Sequence, residues 1–208
     1  MRRHVFAAMF ALIAVIPLVA QSPQGWMVRA DRSTSASDPD AAGAIKFVTM
    51  GTGFHATNPQ AAVFWNPANT VTGNYSLKGT FTLLRPSSHS NYYGLVFGGS
   101  QLEGAGQNYV YFMVAQDGTW LIKRRDGGTT TDIAKAASDA VKRPDATRKS
   151  TNALEVRVRA DKIEYVVNGV TVHTTPKTGP TAKTDGIHGI RVNHQLEVHV
   201  DGLAASKL

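Results

Sequence analysis

Two histidines, His55 and His89, lie in turn-rich stretches of the sequence, and a third, His194, comes just before a predicted strand. His55 follows a glycine-rich turn, His89 lies in a serine-rich one, and His194 comes directly after Asn193. An imidazole changes its charge near neutral pH, so each histidine could act as an acid or base or hydrogen-bond a ligand. Because loops on a rigid scaffold commonly bind ligands, we predict that His55, His89, Asn193 and His194 contribute to a ligand site; surface histidines without a ligand are the alternative.

Two aromatic residues sit at the ends of predicted strands, beside residues that form turns. Trp65 precedes Asn66-Pro67, and Tyr92 follows a polar turn. Aromatic rings pack well on the apolar C–H face of a sugar ring, so both are candidate ligand-binding residues for a carbohydrate. Tyr93 and Trp120 instead fall inside strongly alternating segments, which favours packing in a core.

Glu197, His199 and Asp201 alternate with apolar residues and would share one face of a strand. Histidine and carboxylate groups can ligate metals, but the same row fits the outer side of a half-buried strand, and we predict no metal or other cofactor. Four positions along a strand span roughly 13 Å, too far for Glu197 and Asp201 to act as the carboxylate pair of a retaining glycosidase. With no nucleophile elbow, zinc-protease helix or phosphate loop, no catalytic residue is predicted and a non-enzyme is favoured.

Alternation with a period of two dominates the chain after about residue 44. In Tyr75–Leu83, Leu154–Val158 and Leu196–Val200, apolar side chains alternate with polar ones, as in strands with one face in a core. Tyr109–Val114 is apolar on both faces, which predicts a strand at the centre of a sheet.

Turn signals separate these segments. Asn168-Gly169 predicts a tight hairpin, because both central positions of a type I′ turn need positive φ, and Asp117-Gly118 predicts another. Asp132–Val141 departs from alternation, with apolar residues at helical spacing, so a short helix or loop is expected near 132–142. The sequence predicts an all-β fold, a two-sheet antiparallel β-sandwich or jelly roll of about 11–12 strands.

The N-terminus has the layout of an export signal. A short basic start precedes Val5–Val19, which is almost wholly apolar and is followed by a small residue. The run is too short for a comfortable membrane span, so we predict a signal peptide at 1–20, a flexible leader at 21–43 and a β-sandwich domain at 44–208. An exported bacterial protein is expected, periplasmic or extracellular and free of the membrane after signal cleavage; an uncleaved anchor is the alternative.

Composition narrows the classes of partner. The 208 residues include 22 Lys and Arg against 15 Asp and Glu, a formal net charge of +7, and the positive charges are scattered along the chain. Nucleic-acid-binding domains usually carry a basic stripe or a reading motif, so no nucleic-acid partner is predicted. The chain has no cysteine, which excludes disulfides and thiolate metal sites and leaves burial as the source of stability.

Three stretches resemble the concanavalin A-like lectin/glucanase superfamily, especially its laminin-G-like jelly rolls, and are similar to exported bacterial 3-keto-disaccharide hydrolase-like domains. They are Tyr93–Gly99 with Tyr109–Phe112, Asn152–Gly169, and Gly186–Val192 closing on Val198–Gly202. The resemblance implies a jelly roll and points to carbohydrate or cell-envelope glycan as the partner. The clustered acids of the superfamily's hydrolases, of the form Glu-x-Asp-x-x-Glu, are missing here, so their catalytic residues are not carried over.

Three functions stay open on the sequence alone. The first is an exported glycan-associated binding or accessory module that holds sugar on a concave sheet face and its rim. The second is a carbohydrate-active hydrolase or lyase that uses histidine as its acid or base. The third is a structural or protein-interaction module of the cell envelope. The oligomeric state stays open as well.

Overall fold

The computed structural model of the chain describes residues 23–208, and the predicted signal peptide at 1–20 lies outside the described residues. Regular structure in the described part consists of fourteen strands and one 3-10 turn at Gly179–Thr181. In residues 23–208 no helix is long and apolar enough to span a membrane.

The strands form two antiparallel seven-stranded sheets, here called the front and back sheets. The front sheet contains β1 (Met27–Asp31), β4 (Ala61–Val71), β6 (Tyr92–Ser100), β7 (Asn108–Ala115), β8 (Thr119–Asp126), β9 (Thr129–Ala137) and β13 (Gly186–Val192). The back sheet contains β2 (Lys46–Met50), β3 (Gly53–Asn58), β5 (Tyr75–Arg85), β10 (Ser150–Val158), β11 (Lys162–Val167), β12 (Val170–Pro176) and β14 (Leu196–Lys207). Their orders are β1-β4-β13-β6-β7-β8-β9 and β12-β11-β10-β5-β14-β3-β2. The predicted two-sheet antiparallel sandwich is confirmed, with more strands than expected.

Alternating side chains build the core between the sheets. On β14, Val198 and Val200 are fully buried, whereas His199 between them is partly exposed. On β7, Phe112 belongs to the core and Tyr111 packs on the outer face of the front sheet. The predicted central strand therefore has both faces covered, and it lies between β6 and β8.

The Asn168-Gly169 hairpin joins β11 to β12 as predicted, with φ of 50° at Asn168 and 85° at Gly169. The Asn168 side chain also holds neighbouring segments: its amide donates to the Ala140 carbonyl at 2.8 Å, and its oxygen accepts from the Ala153 N–H at 2.8 Å. At the β7–β8 turn only Gly118 has positive φ, at 86°.

The short helix or loop expected near 132–142 is found only in part: no α-helix forms there, and the loop begins only after Ala137. The segment pairs with β8 as edge strand β9 as far as Ala137, and a turn and loop follow. Ile122 lies opposite Ala134, and a register shift next to this pair absorbs the irregular spacing of apolar residues. Ile133 and Ala134 thereby pack against the core while the backbone pairs in the sheet, so tertiary pairing overrides the helical pattern.

The segment at 23–43 is attached to both sheets. Its Trp26 ring lies 4.6 Å from the Phe54 ring of the back sheet, and β1 pairs with β4 at the edge of the front sheet. Further on, the Ala41 N–H donates to the Pro59 carbonyl at 3.0 Å. The stretch after β1 is therefore held at both ends.

Candidate binding groove and histidine cluster

A groove of about 520 Å³ lies on the outer face of the front sheet, over β6, β7, β8, β9 and β13. Its buried apolar lining consists of the aromatic rings of Tyr92 and Tyr111 with the side chains of Met113 and Leu121. The rest of its lining is polar or charged and comprises Asp38, Ser90, Asn91, Lys123, Thr130, Asp132, Lys135, Arg191 and Asn193. Aromatic surface next to convergent polar groups is typical of small-molecule sites.

A charge network lies beneath one part of this groove. Arg191 forms an ion pair with Asp31 and donates to the Tyr109 hydroxyl at 3.0 Å, and Arg29 forms a second ion pair with Asp31. The side chains of Arg191 and Asp31 are only 13% and 12% exposed. Two guanidinium groups therefore share one carboxylate, which leaves net positive charge at the bottom of the groove.

The pKa values of this network fit its ionised state. Burial by itself raises the pKa of the Asp31 carboxyl, but Arg191 and Arg29 outweigh it and hold that pKa below its usual value. Burial opposes the charge on Arg191, yet the neighbouring Tyr109 and Asp31 raise the pKa of the guanidinium above its usual value. Burial raises the pKa of Tyr109 to about 12. Asp31 and Arg191 are therefore charged, and Tyr109 neutral, at neutral pH.

Cations also approach the aromatic lining directly. The Lys135 ammonium lies 5.6 Å from the centre of the Tyr92 ring, and the Arg191 guanidinium lies 5.4 Å from that of Tyr111. Lys123 pairs with Asp132 at 2.8 Å on the β8–β9 side. The groove thus combines aromatic rings with three cationic side chains.

A cluster of two histidines and an aspartate lies at one end of the groove. Asp38 comes from the segment after β1, His89 from the β5–β6 loop and His194 from the β13–β14 turn. The two Nε2 atoms are 3.2 Å apart, and Asp38 Oδ1 lies 2.8 Å from that of His89 and 3.1 Å from that of His194. Three distant parts of the chain thus bring their polar atoms to one point.

Other side chains fix the orientation of this cluster. His194 Nδ1 lies 3.0 Å from Asp40 Oδ1, and the second oxygen of Asp40 accepts from the Ser33 N–H at 2.9 Å. The Asn91 amide nitrogen lies 3.0 Å from His89 Nε2. The His194 side chain is only 7% exposed, so its ring is held within the fold rather than free in solvent.

His55 lies elsewhere, on β3 of the back sheet. Its Nε2 is 3.1 Å from Glu197, and the neighbouring His199 pairs with Asp201 at 3.0 Å. The row of polar residues on β14 therefore makes polar contacts with its neighbours on the outer face of the back sheet. The structure brings His89 and His194 together but places His55 in a different group.

Of the remaining predicted ligand-binding residues, some line the groove and one does not. Tyr92 and Asn193 line the groove, and the Asn193 N–H donates to the Tyr92 carbonyl at 2.9 Å. Trp65 is 2% exposed and packs within the apolar cluster of the outer face, a position that favours packing over contact with a ligand. Tyr93 and Trp120 belong to the core, as predicted.

Sequence reasoning missed Asp38, Asp40, Tyr111 and Arg191. The two aspartates flank a proline in a Ser/Asp-rich stretch that is typical of a loose leader. Their spacing around Pro39 was the one local signal available. Tyr111 and Arg191 meet only through the pairing of three strands, which no local pattern encodes.

A second cavity, also about 520 Å³, lies between β4 and β14. Its lining is mostly small side chains, and His188 and Lys207 are its only ionisable groups. Burial lowers the pKa of His188, which is therefore neutral at neutral pH. This cavity lacks the aromatic and charged lining of the groove.

The chain matches no protein-family model and no curated protein sequence. Solved structures do match it in shape. Carbohydrate-binding module CBM66 from Bacillus subtilis aligns with a TM-score of 0.63 at 9% identity, over 88% of this chain and 96% of that one. The chain has a jelly-roll fold, which confirms the fold that the resemblance in the sequence implied.

Two other jelly rolls align over similar lengths. A Bacillus subtilis protein of unknown function with a galectin-like fold gives a TM-score of 0.55 at 13% identity, over 88% of this chain and 89% of that one. A putative glycosyl hydrolase from Parabacteroides distasonis gives 0.53 at 14% identity, over 78% and 90%. At these sequence identities the likeness establishes the fold of this chain and says nothing of its function.

Proposed function

We propose that the protein is a carbohydrate-binding module that holds a glycan in the groove on the front sheet. The observation that carries the proposal is the lining itself, in which two tyrosine rings lie beside hydroxyl, amide and charged groups. Tyr92 and Tyr111 are 8% and 6% exposed, so a sugar would pack on the part of each ring that reaches the groove, and the polar groups would hydrogen-bond its hydroxyls. The fold shared with CBM66 supports the same reading.

The charge of the groove favours an acidic glycan. Arg191, Lys123 and Lys135 line it, and Arg191 shares its one carboxylate partner with Arg29. A sugar carboxylate or sulfate would meet this positive charge in a partly desolvated site, where charge-assisted hydrogen bonds are strongest. Asp132 pairs with Lys123, so a neutral sugar would leave uncompensated the charge of Lys135 and the surplus charge of Arg29 and Arg191.

Only some of the predicted ligand-binding residues would contact the sugar in this proposal. Tyr92 and Asn193 would contact the sugar directly, with His89 and His194 at the end of the groove. His55 and Trp65 lie outside the groove lining and are not needed for it. Export to the periplasm or the medium, with a cell-envelope or extracellular glycan as partner, belongs to the proposal as well.

A glycan array followed by calorimetry tests the proposal. We expect binding to acidic glycans in preference to neutral ones of the same linkage, with affinity that falls as salt is added. Lys135→Ala should weaken binding about tenfold, because it removes one charged contact worth roughly 1.5 kcal/mol. Lys46 is an exposed lysine on β2 of the back sheet, so Lys46→Ala is the matched control. It should bind the glycan as the unchanged protein does.

Absence of binding to every glycan class would reject the proposal. If envelope proteins then co-purified through the same face, a protein-interaction module would take its place. Equal affinity for acidic and neutral glycans would retain a carbohydrate site but reject the role assigned to Arg191, Lys123 and Lys135.

One observation favours a second function, a hydrolase or lyase. Asp38 lines the groove and lies 2.8 Å from His89 and 3.1 Å from His194, so a sugar that reaches this carboxylate would lie near an imidazole able to transfer a proton. Incubation with whichever glycan binds should then release new reducing ends or unsaturated products, and His194→Ala should abolish the release. Binding without turnover would leave the module non-catalytic.

A further inference from the structure

We propose that Asp38, His89 and His194 form a binding site for a first-row divalent transition metal, with zinc as the best fit. This goes beyond the carbohydrate proposal and does not depend on it. The three side chains come from separate segments of the chain, and their ligand atoms converge with spacings between 2.8 and 3.2 Å.

These spacings match a metal's coordination sphere. With Zn–N and Zn–O bonds of about 2.0–2.1 Å, neighbouring ligand atoms of a tetrahedral ion lie about 3.3 Å apart. A cation bonded to all three atoms would sit about 1 Å above their plane, with a fourth position left open. Three protein ligands and one open position is the usual arrangement of a reactive or ligand-binding zinc site.

The hydrogen bond of His194 to Asp40 fixes which ring nitrogen is free to bind a metal. Its Nδ1 faces the carboxylate of Asp40 at 3.0 Å, and a carboxylate only accepts hydrogen bonds, so Nδ1 carries the proton. In a neutral ring, Nε2 then presents a lone pair to Asp38 Oδ1, 3.1 Å away. Two lone pairs held this close repel each other unless a cation lies between them. A metal ion bound to both atoms removes this repulsion.

The surroundings add to this geometry. His89 Nε2 faces the same carboxylate oxygen and His194 Nε2, so three ligand atoms face one point, and binding of a metal requires the His89 proton on Nδ1 and the Asn91 amide, 3.0 Å away, to turn from Nε2. Asp40 stands behind His194 as metal-bound histidines require, with its other oxygen fixed by the Ser33 N–H. This carboxylate sets the tautomer of the ring and makes Nε2 a stronger ligand.

The donor set selects the kind of metal. Two imidazoles and one carboxylate suit zinc and its first-row neighbours. Calcium takes six to eight oxygen ligands and magnesium keeps an oxygen-rich octahedron, so neither fits two histidine nitrogens. Asp38 also lines the groove, so a bound ion would add positive charge at the groove's end.

Calorimetry and metal analysis on the full chain, stripped with a chelator and dialysed, test this proposal. We expect one Zn²⁺ bound per chain, no binding of Ca²⁺, and a higher melting temperature with Zn²⁺, because a ligand of the native state stabilises it. His89→Ala and His194→Ala should each weaken Zn²⁺ binding by at least about tenfold, and Asp40→Ala by about 10- to 100-fold.

His199→Ala is the matched control, since His199 also pairs with a carboxylate but lies on the back sheet. It should bind Zn²⁺ as the unchanged protein does. Because the His89 side chain is 40% exposed, His89→Ala should keep the fold. Zn²⁺ binding by His89→Ala therefore tests the metal site even if His194→Ala unfolds. Failure to bind Zn²⁺ stoichiometrically, or binding unchanged in His89→Ala, overturns the metal site.

Glycan titrations with and without chelator separate the two proposals. Zinc binding without glycan binding would reject the carbohydrate module and keep the metal site. Glycan binding by a protein that binds no zinc would keep the carbohydrate module and reject the metal site.

Discussion

Asp31 balances the charge beneath the groove, and its protonation should be visible in the stability of the whole domain. Asp31→Asn leaves Arg191 almost buried without a charged partner, so we expect a loss of about 3–5 kcal/mol in the free energy of unfolding at pH 7. Urea unfolding measures this loss. Asp161→Asn, at an exposed position, is the control and should change stability by less than about 0.5 kcal/mol.

The pH dependence of the same variant follows from the direction of the shift. The folded protein holds the pKa of Asp31 below its usual value, so the stabilisation is present above that usual value and is lost as the pH falls through the folded one. The difference between wild type and Asp31→Asn should therefore shrink as the pH falls below about 4, the usual pKa of an aspartate. A gap that stays constant over this range would show that Asp31 acts through packing rather than charge.

In the β11–β12 hairpin, two substitutions separate the contribution of backbone conformation to stability from that of a side chain. Asn168→Gly keeps the positive φ but removes hydrogen bonds to Ala140 and Ala153, so we expect a loss of about 2 kcal/mol. Gly169→Ala keeps those bonds and meets no neighbouring atom, so only its positive φ matters, at about 1 kcal/mol. If Asn168→Gly unfolds like wild type in urea, the turn alone, and not its side chain, holds this hairpin.

The same elements explain how far the sequence predicted the fold. Strands with one buried face, such as β5 and β14, follow from alternation because burial of a single face is a local pattern. Segment β9 does not, because its pairing with β8 depends on a partner and a register shift that its own residues do not encode. His89 and His194 stood out as histidines in turns, whereas Arg191 became visible only when Asp31 and Tyr109 reached it across the sheet.

For the whole molecule, the chain before β2 acts as a clasp on one side of the sandwich. β1 and β2 are edge strands of opposite sheets, and Trp26 spans the gap between them. Its ring lies 5.3 Å from that of Phe47 on β2 and 4.6 Å from that of Phe54 on β3. The clasp also supplies Asp38 to the groove, so one segment both closes this side of the sandwich and completes the site.

Trp26→Ala should therefore affect stability and site together. Loss of a large aromatic contact costs about 3 kcal/mol, which in a domain of this size lowers the melting temperature by roughly 6–12 °C. Met50→Ala, at an exposed position of the same edge, should shift it by less than about 2 °C. Hydrogen exchange should show faster opening of residues 27–40 in Trp26→Ala than in Met50→Ala, because those residues lose their anchor on the back sheet. Equal exchange in the two variants would mean that β1 is held by its pairing with β4 alone, and that Asp38 reaches the groove without help from the opposite sheet.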